Sequence, residues 1–281
     1  MNEQATADLS TTPPLVDWSL LTNPSVIQQC KQSLKSNGVV TIPNFATPIG
    51  IDVFKREILS CPYNESKQHY TSYQDQGDAT NYPPLHPRNY KVHSSASFVG
   101  RKSLQFMQEC RCIDLYNDER LLNFLSTVAS RKMHQSKDEN GSVYSYRIES
   151  NHNPPWHFDE SPYTVIIYLQ SGEGGGEFEY VPWCRKTRSV DDVEGHDIIQ
   201  SVVMDGSREK VHQIQPEQGA LLFFSGAHTF HRAAKVTGST ARIGLVFTFS
   251  EDEHFCNSED VKGSNEWDPV DATRLVYGDK K

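Results

Sequence analysis

At Val143 the hydrophobic pattern changes period, and the rest of the chain has few ways to fold. Val143–Ile148, Tyr163–Leu169, Gly176–Val181, Val211–Ile214, Ala220–Phe224 and Arg242–Phe249 are short runs rich in β-branched and aromatic residues. Turn signals separate them, most plainly Ser171-Gly-Glu-Gly-Gly-Gly176. Many short strands joined by glycine-rich turns bury their apolar faces only by closing into a barrel or stacking as two sheets. One helix, about Asp191 to Met204, interrupts the series, with Asp191, Asp192 and Glu194 in the first turn, where the helix dipole favours them.

Before Val143 the pattern is mainly helical. Residues 1–15 are polar and contain prolines, as a mobile tail does. Asn23-Pro24 supplies a cap and a first-turn proline for a helix carrying Val26, Ile27, Cys30 and Leu34, which Asn37-Gly38 ends. Val39–Ile42 is a short strand, and Thr47-Pro48 opens a helix with Ile51, Phe54, Ile58 and Leu59 on its apolar side. Residues 60–103 lose periodicity and mix prolines, histidines and tyrosines with Arg88, Lys91, His93 and Arg101, which reads as one long irregular segment: a lid, a substrate loop or, equally, a solvated loop with scattered charge. A helix over 117–133 buries Leu121, Leu122, Leu125 and Val128. The expected organisation is a single domain over 16–281, with a helical part at 16–142 and a β core at 143–250. The fold class is α+β, mainly β.

A net charge of −9 opposes nucleic-acid binding, whose footprint is a basic face. No apolar run approaches the roughly 18 residues of a membrane span. The first residues have neither signal- nor transit-peptide form, so the expected compartment is the cytoplasm. The six cysteines are too sparse for a disulfide scaffold. Cys110-Arg-Cys112 has no second cluster to complete a zinc ribbon and reads as two ordinary thiols at a helix end. The chemistry therefore has to come from elsewhere.

It comes from Trp156-His157-Phe158-Asp159. On an extended segment His157 and Asp159 share a face, because side chains alternate with period two. An imidazole and a carboxylate are two parts of a 2-His-1-carboxylate metal site, a set that leaves further coordination positions open. Two later histidines, His228 and His231, follow the strand Gly219–Gly226 and compete for the third place. Arg242 opens the last apolar strand, where an unpaired charge is costly and a fixed guanidinium suits bidentate recognition of a carboxylate.

The order HFD, a strand, GGEFEYV, GALLFFSG, a histidine before Arg232 and a later arginine opening the last strand resembles the Fe(II)/2-oxoglutarate-dependent oxygenases. The resemblance covers about 143–250 and implies a double-stranded β-helix, or jelly roll, with N-terminal and flanking helices. It implies Fe(II) held by His157, Asp159 and His231, 2-oxoglutarate anchored by Arg242, and dioxygen as the second co-substrate. It further implies attack on an unactivated C–H bond with release of succinate and CO2. WHFDESPYTVIIYLQSGEGGGEFEYVP is most similar to a branch that halogenates or hydroxylates free amino acids and similar small molecules. Halogenases of that branch carry glycine where this chain has Asp159, so hydroxylation, desaturation or ring closure is expected instead. Many relatives place serine or threonine two residues after the anchoring arginine; here that residue is Gly244, and Thr164 and Tyr144 are the candidates to supply the missing hydrogen bond. Arg147 is a candidate for a substrate carboxylate, with a surface ion pair as its alternative.

Two other readings stay open at this point. A cupin-like metal-binding jelly roll, or a zinc hydrolase, uses the same donor set, although neither needs Arg242. A peptide or protein side chain is the alternative to a small-molecule substrate. Oligomeric state leaves no trace in the sequence.

Overall fold

The computed structural model describes residues 13–71, 86–89, 91–105, 107–187, 193 and 195–258. Short α1 (Trp18–Thr22) leads into α2 (Pro24–Asn37), where the Asn23 side chain accepts from the N–H groups of Ser25 and Val26 and Gly38 closes the far end. After β1 (Val39–Ile42) comes α3 (Pro48–Ser60), capped by Thr47. β2 (Asn64–Thr71) and β3 (Lys91–Gly100) are followed by α4 (Arg101–Leu104), α5 (Arg111–Tyr116) and α6 (Glu119–Ala129). The remaining elements are β4 (His134–Gln135), β5 (Val143–Ile148), β6 (Tyr163–Gln170), β7 (Gly174–Gly175), β8 (Phe178–Val181), α7 (His196–Val203), β9 (His212–Ile214), β10 (Leu221–Phe224), β11 (Phe230–Ala233), β12 (Val236–Thr237) and β13 (Arg242–Ser250).

The large sheet has the order β1-β10-β6-β13-β5-β3-β2, with β4 added against β13. A smaller sheet, β11-β8-β9, and the β12-β7 pair complete the jelly roll. All pairings are antiparallel. Alternation divides the large sheet into two faces. Val165, Ile167, Leu169, Leu221, Phe223, Leu245 and Phe247 pack outward against helices α2, α3, α5 and α6. Ile166, Tyr168, Leu222, Phe224, Val246 and Tyr146 point inward and meet Phe178 and Tyr180 of the smaller sheet. Two sheets stacked over such a layer form a β-sandwich core.

The sequence reading needs three corrections. The segment 60–103 is not irregular throughout: β2 and β3 pair along their whole length, and β3 pairs with β5, so the sheet runs into the region expected to be helical. Their ladder bonds hold these strands, and periodicity does not report such bonds. Tyr73 and Tyr82 of this segment, with 72–85, lie outside the described residues, as do positions 191, 192 and 194 of the expected acidic helix start. The helix read at 117–133 runs only from Glu119 to Ala129 and stops at Ser130 in a left-handed conformation. The run from Gly176 begins as a strand only at Phe178. Among the described residues no helix is long and apolar enough to cross a membrane.

Candidate metal and co-substrate site

His157, Asp159 and His231 come together at one end of the inner layer. His231 lies on β11, while His157 forms an isolated bridge with it: each backbone N–H donates to the other's carbonyl at 2.9 Å. The Asp159 N–H donates to Gly226 O at 3.1 Å. Trp156 and Phe158, on either side of His157, pack against Phe230 with ring centroids 5.2 and 5.0 Å apart. This packing fixes the backbone that carries the ligands.

The rings have a fixed tautomer. His157 Nδ1 lies 2.9 Å from Pro155 O, and His231 Nδ1 lies 2.8 Å from Thr229 O. A carbonyl only accepts, so both Nδ1 atoms carry the proton and both Nε2 atoms keep a lone pair. These nitrogens face Asp159 Oδ1 at 3.4 and 3.5 Å. Burial drives the His231 pKa down despite the neighbouring carboxylate, which keeps the ring neutral. Two imidazole lone pairs and an anionic oxygen thus converge with no proton among them, an arrangement that a divalent cation satisfies.

His228, the competing histidine, is used elsewhere. Its Nδ1 donates to Arg185 O at 3.2 Å, and its ring sits 6.3 Å from Trp183. Arg185 is itself buried, donates Nε to Ala227 O and lies 4.3 Å over the Phe158 ring, so it braces the turn behind the ligands. His152 accepts the Glu149 N–H at Nδ1, and His212 stacks on Tyr180.

Arg242 is 2% exposed, and its Nε and Nη2 have no hydrogen-bond partner among the described residues. Its guanidinium lies 4.8 Å over the Tyr146 ring and 5.2 Å from that of Tyr168. The hydroxyls of both tyrosines are buried beside it; that of Tyr146 has no hydrogen-bond partner among the described residues, and that of Tyr168 interacts with the guanidinium. Such groups cost on the order of 1–3 kcal/mol each if left alone. Together they form a set of donors around a cation, as a buried carboxylate requires. Gly244 sits opposite Tyr146 on β5 and opposite Tyr168 on β6, and a Cβ there would run into the Tyr146 ring and hydroxyl. The two phenols thus stand beside the glycine found where the resemblance implies a serine or threonine. Sequence reasoning missed them; a glycine inside an apolar strand was the available signal, since it often marks close approach of a neighbour. Tyr146 and Tyr168 belong to the same inner cluster as Phe178 and Phe224, whose rings contact His231. One continuous layer therefore connects Arg242 to the His157–Asp159–His231 cluster.

The structure separates three further candidates from the sequence. Thr164 donates its hydroxyl to Asp159 Oδ2 at 2.6 Å and so faces the ligand side of the site. Tyr144 is on the inner face and packs against Phe98. Arg147 is not brought to the site: alternation on β5 sets it opposite Tyr146, and it pairs with Glu149 at 2.8 Å.

The halogenase D family model matches residues 85–267, well over half of the chain. No curated protein matches the sequence. Among solved structures, AviO1 from Streptomyces viridochromogenes Tue57 is 12% identical with a TM-score of 0.55, covering 88% of this chain and 100% of its own. HygX from Streptomyces hygroscopicus, solved with nickel, 2-oxoglutarate and hygromycin B, is 12% identical with a TM-score of 0.52, over 79% of this chain and 86% of its own. A Trichoplax adhaerens prolyl hydroxylase bound to a hypoxia-inducible-factor peptide is 15% identical with a TM-score of 0.52, over 83% and 93%. At these identities the likeness is one of fold. The chain belongs to the halogenase D family and, with it, to the Fe(II)/2-oxoglutarate-dependent oxygenases.

Proposed function

We propose that this oxygenase oxidises an unactivated C–H bond of a small, amino-acid-like carboxylated metabolite, by hydroxylation, desaturation or ring closure rather than halogenation. The observation that carries the reading is Asp159: its carboxylate occupies the position beside the two histidines that a halide would need. His157, Asp159 and His231 would hold Fe(II), and Arg242 the distal carboxylate of 2-oxoglutarate, with Tyr146 and Tyr168 as further donors. Iron, 2-oxoglutarate and dioxygen together supply the oxidising power, with succinate and CO2 released. The protein's part is placement. Carbonyl bonds to Nδ1 aim both imidazoles, the paired backbones of His157 and His231 set their spacing, and the aromatic inner layer limits water. Membership of the halogenase D family supports a small-molecule substrate over a peptide, and the acidic chain supports the exclusion of nucleic acid.

Anaerobic addition of Fe(II) and 2-oxoglutarate is expected to give a visible charge-transfer band. Succinate release is then measured over a panel of free amino acids, N-alkylated amino acids and peptides, with product masses read in the presence of chloride. Turnover confined to peptides, or a chlorinated product, overturns the proposal.

A further inference from the structure

Asp159 carries two oxygens, and only one of them faces the histidines. The other, Oδ2, accepts the Thr164 hydroxyl at 2.6 Å, and Thr164 is 2% exposed. Having given its proton to Asp159, Thr164 Oγ1 accepts from Ser161, whose Oγ lies 3.2 Å away. The relay runs from Ser161 through Thr164 to Asp159. Gly226 also presses close: a Cβ there would lie 2.8 Å from Asp159 Cβ and 2.9 Å from Cγ, and closer still to Oδ2. Thr164 is held in turn, paired with Phe224 of β10 and Thr248 of β13 in the middle of the large sheet. The carboxylate is therefore held by a residue of a rigid strand and packed against a bare backbone.

We propose that Thr164 is a positioning residue for the metal: it commits Asp159 Oδ2 and leaves only Oδ1 to ligate. This rests on His157, Asp159 and His231 being the metal site. With one oxygen committed, the carboxylate fills one coordination position, and room remains for a bidentate co-substrate and a third small ligand. A carboxylate free to turn would bring both oxygens to the metal and close one of those positions. Partners that orient a ligand in this way are commonly worth 10–100-fold in metal affinity.

The probe is Co(II), titrated anaerobically into the apoprotein and read both by calorimetry and by its d–d absorption. Thr164→Val is expected to bind Co(II) about 10–100-fold more weakly, with altered d–d bands, and Thr164→Ser to restore both. Thr164→Val matching the wild type in affinity and spectrum overturns the proposal. If Asp159→Ala also binds Co(II) as tightly as wild type, it is the metal site itself that fails. Far-UV circular dichroism of each apoprotein checks the fold, and Thr164→Ala serves if valine disturbs the strand. Should neither variant fold, infrared difference spectra of the wild type with and without Co(II) decide: carboxylate bands of a one-oxygen ligand are expected, and bands of a two-oxygen ligand overturn the assignment.

Discussion

Among the described residues, two places bring three potential metal donors within 4.8 Å of one another: His157, Asp159 and His231, and Glu57, Cys110 and Cys112. By donor type the second resembles a soft-metal site. The hydrogen bonds tell them apart. Glu57 reaches from α3 to the start of α5, where its oxygens accept the N–H groups of Arg111 at 2.8 Å and Cys112 at 3.0 Å, and the Cys110 thiol at 3.6 Å. Cys112 is fully buried, and burial pushes its thiol pKa well up. This carboxylate is a helix cap supplied from another element, and its charge is already answered by donors. At Asp159 the oxygen facing the histidines has no donor, because both ring protons are spent on backbone carbonyls. A cluster becomes a metal site when its lone pairs converge without protons, and donor types alone do not reveal this.

That contrast can be broken by experiment. The largest effect is expected at the first cluster: Asp159→Ala should reduce 2-oxoglutarate turnover to background, and wild type should bind one Fe(II) per chain. Two equivalents, with one lost in Cys112→Ser, would make the clusters alike. Next, Arg242→Leu should weaken 2-oxoglutarate binding by about 3 kcal/mol, on the order of 10²-fold, while Fe(II) affinity stays unchanged; a shift in both would mean that Arg242 supports the fold. Glu57→Ala should cost about 2–3 kcal/mol of stability by orphaning two backbone N–H groups, seen as a lower Tm with metal stoichiometry intact.

A smaller effect carries a pH signature. Glu179 accepts from Arg232 Nε at 2.7 Å and Gln213 Nε2 at 2.9 Å. Burial opposes its ionisation, yet those partners hold its pKa below the ordinary glutamate value. A depressed carboxylate contributes stability that is fully present above its unfolded pKa of about 4.3 and is lost as pH falls through the lower folded value. Glu179→Gln should therefore lower Tm at neutral pH, by about 1 kcal/mol equivalent, and the gap should close as pH falls below the ordinary glutamate range. A gap that persists there would assign the effect to packing. Smallest of all, Arg147→Ala should change stability by less than about 0.5 kcal/mol and leave substrate KM unchanged, because Arg147 pairs at the surface with Glu149.

How much of this could be read beforehand varies by residue. The pair His157 and Asp159 was legible because its geometry is local: two residues apart on extended backbone is one face. Arg242 was legible because a charge opening an apolar strand calls for a partner. The choice of His231 over His228 followed from resemblance alone at that stage. Its physical ground is a bridge to His157 across a long stretch of sequence, while His228 is turned onto Arg185 O. Thr164 was noticed, but its partner is Asp159, a contact made by the bend between the ligand segment and β6. The β2–β3 pairing was illegible, because ladder bonds leave no hydrophobic period.

The sequence by itself determined the double-sheet fold, through short alternating strands that can bury their faces only in stacked layers, and the donor types of the site, through spacing along single strands. Tertiary structure decided what depends on neighbours across strands. Tyr146 and Tyr168 flank Gly244 only because β5, β13 and β6 lie side by side. Glu57 became a cap and Asp159 a candidate metal ligand because one carboxylate met backbone N–H groups and the other met imidazole lone pairs. Where each carboxylate's nearest protons lie is a fact of packing, and no residue's own identity contains it.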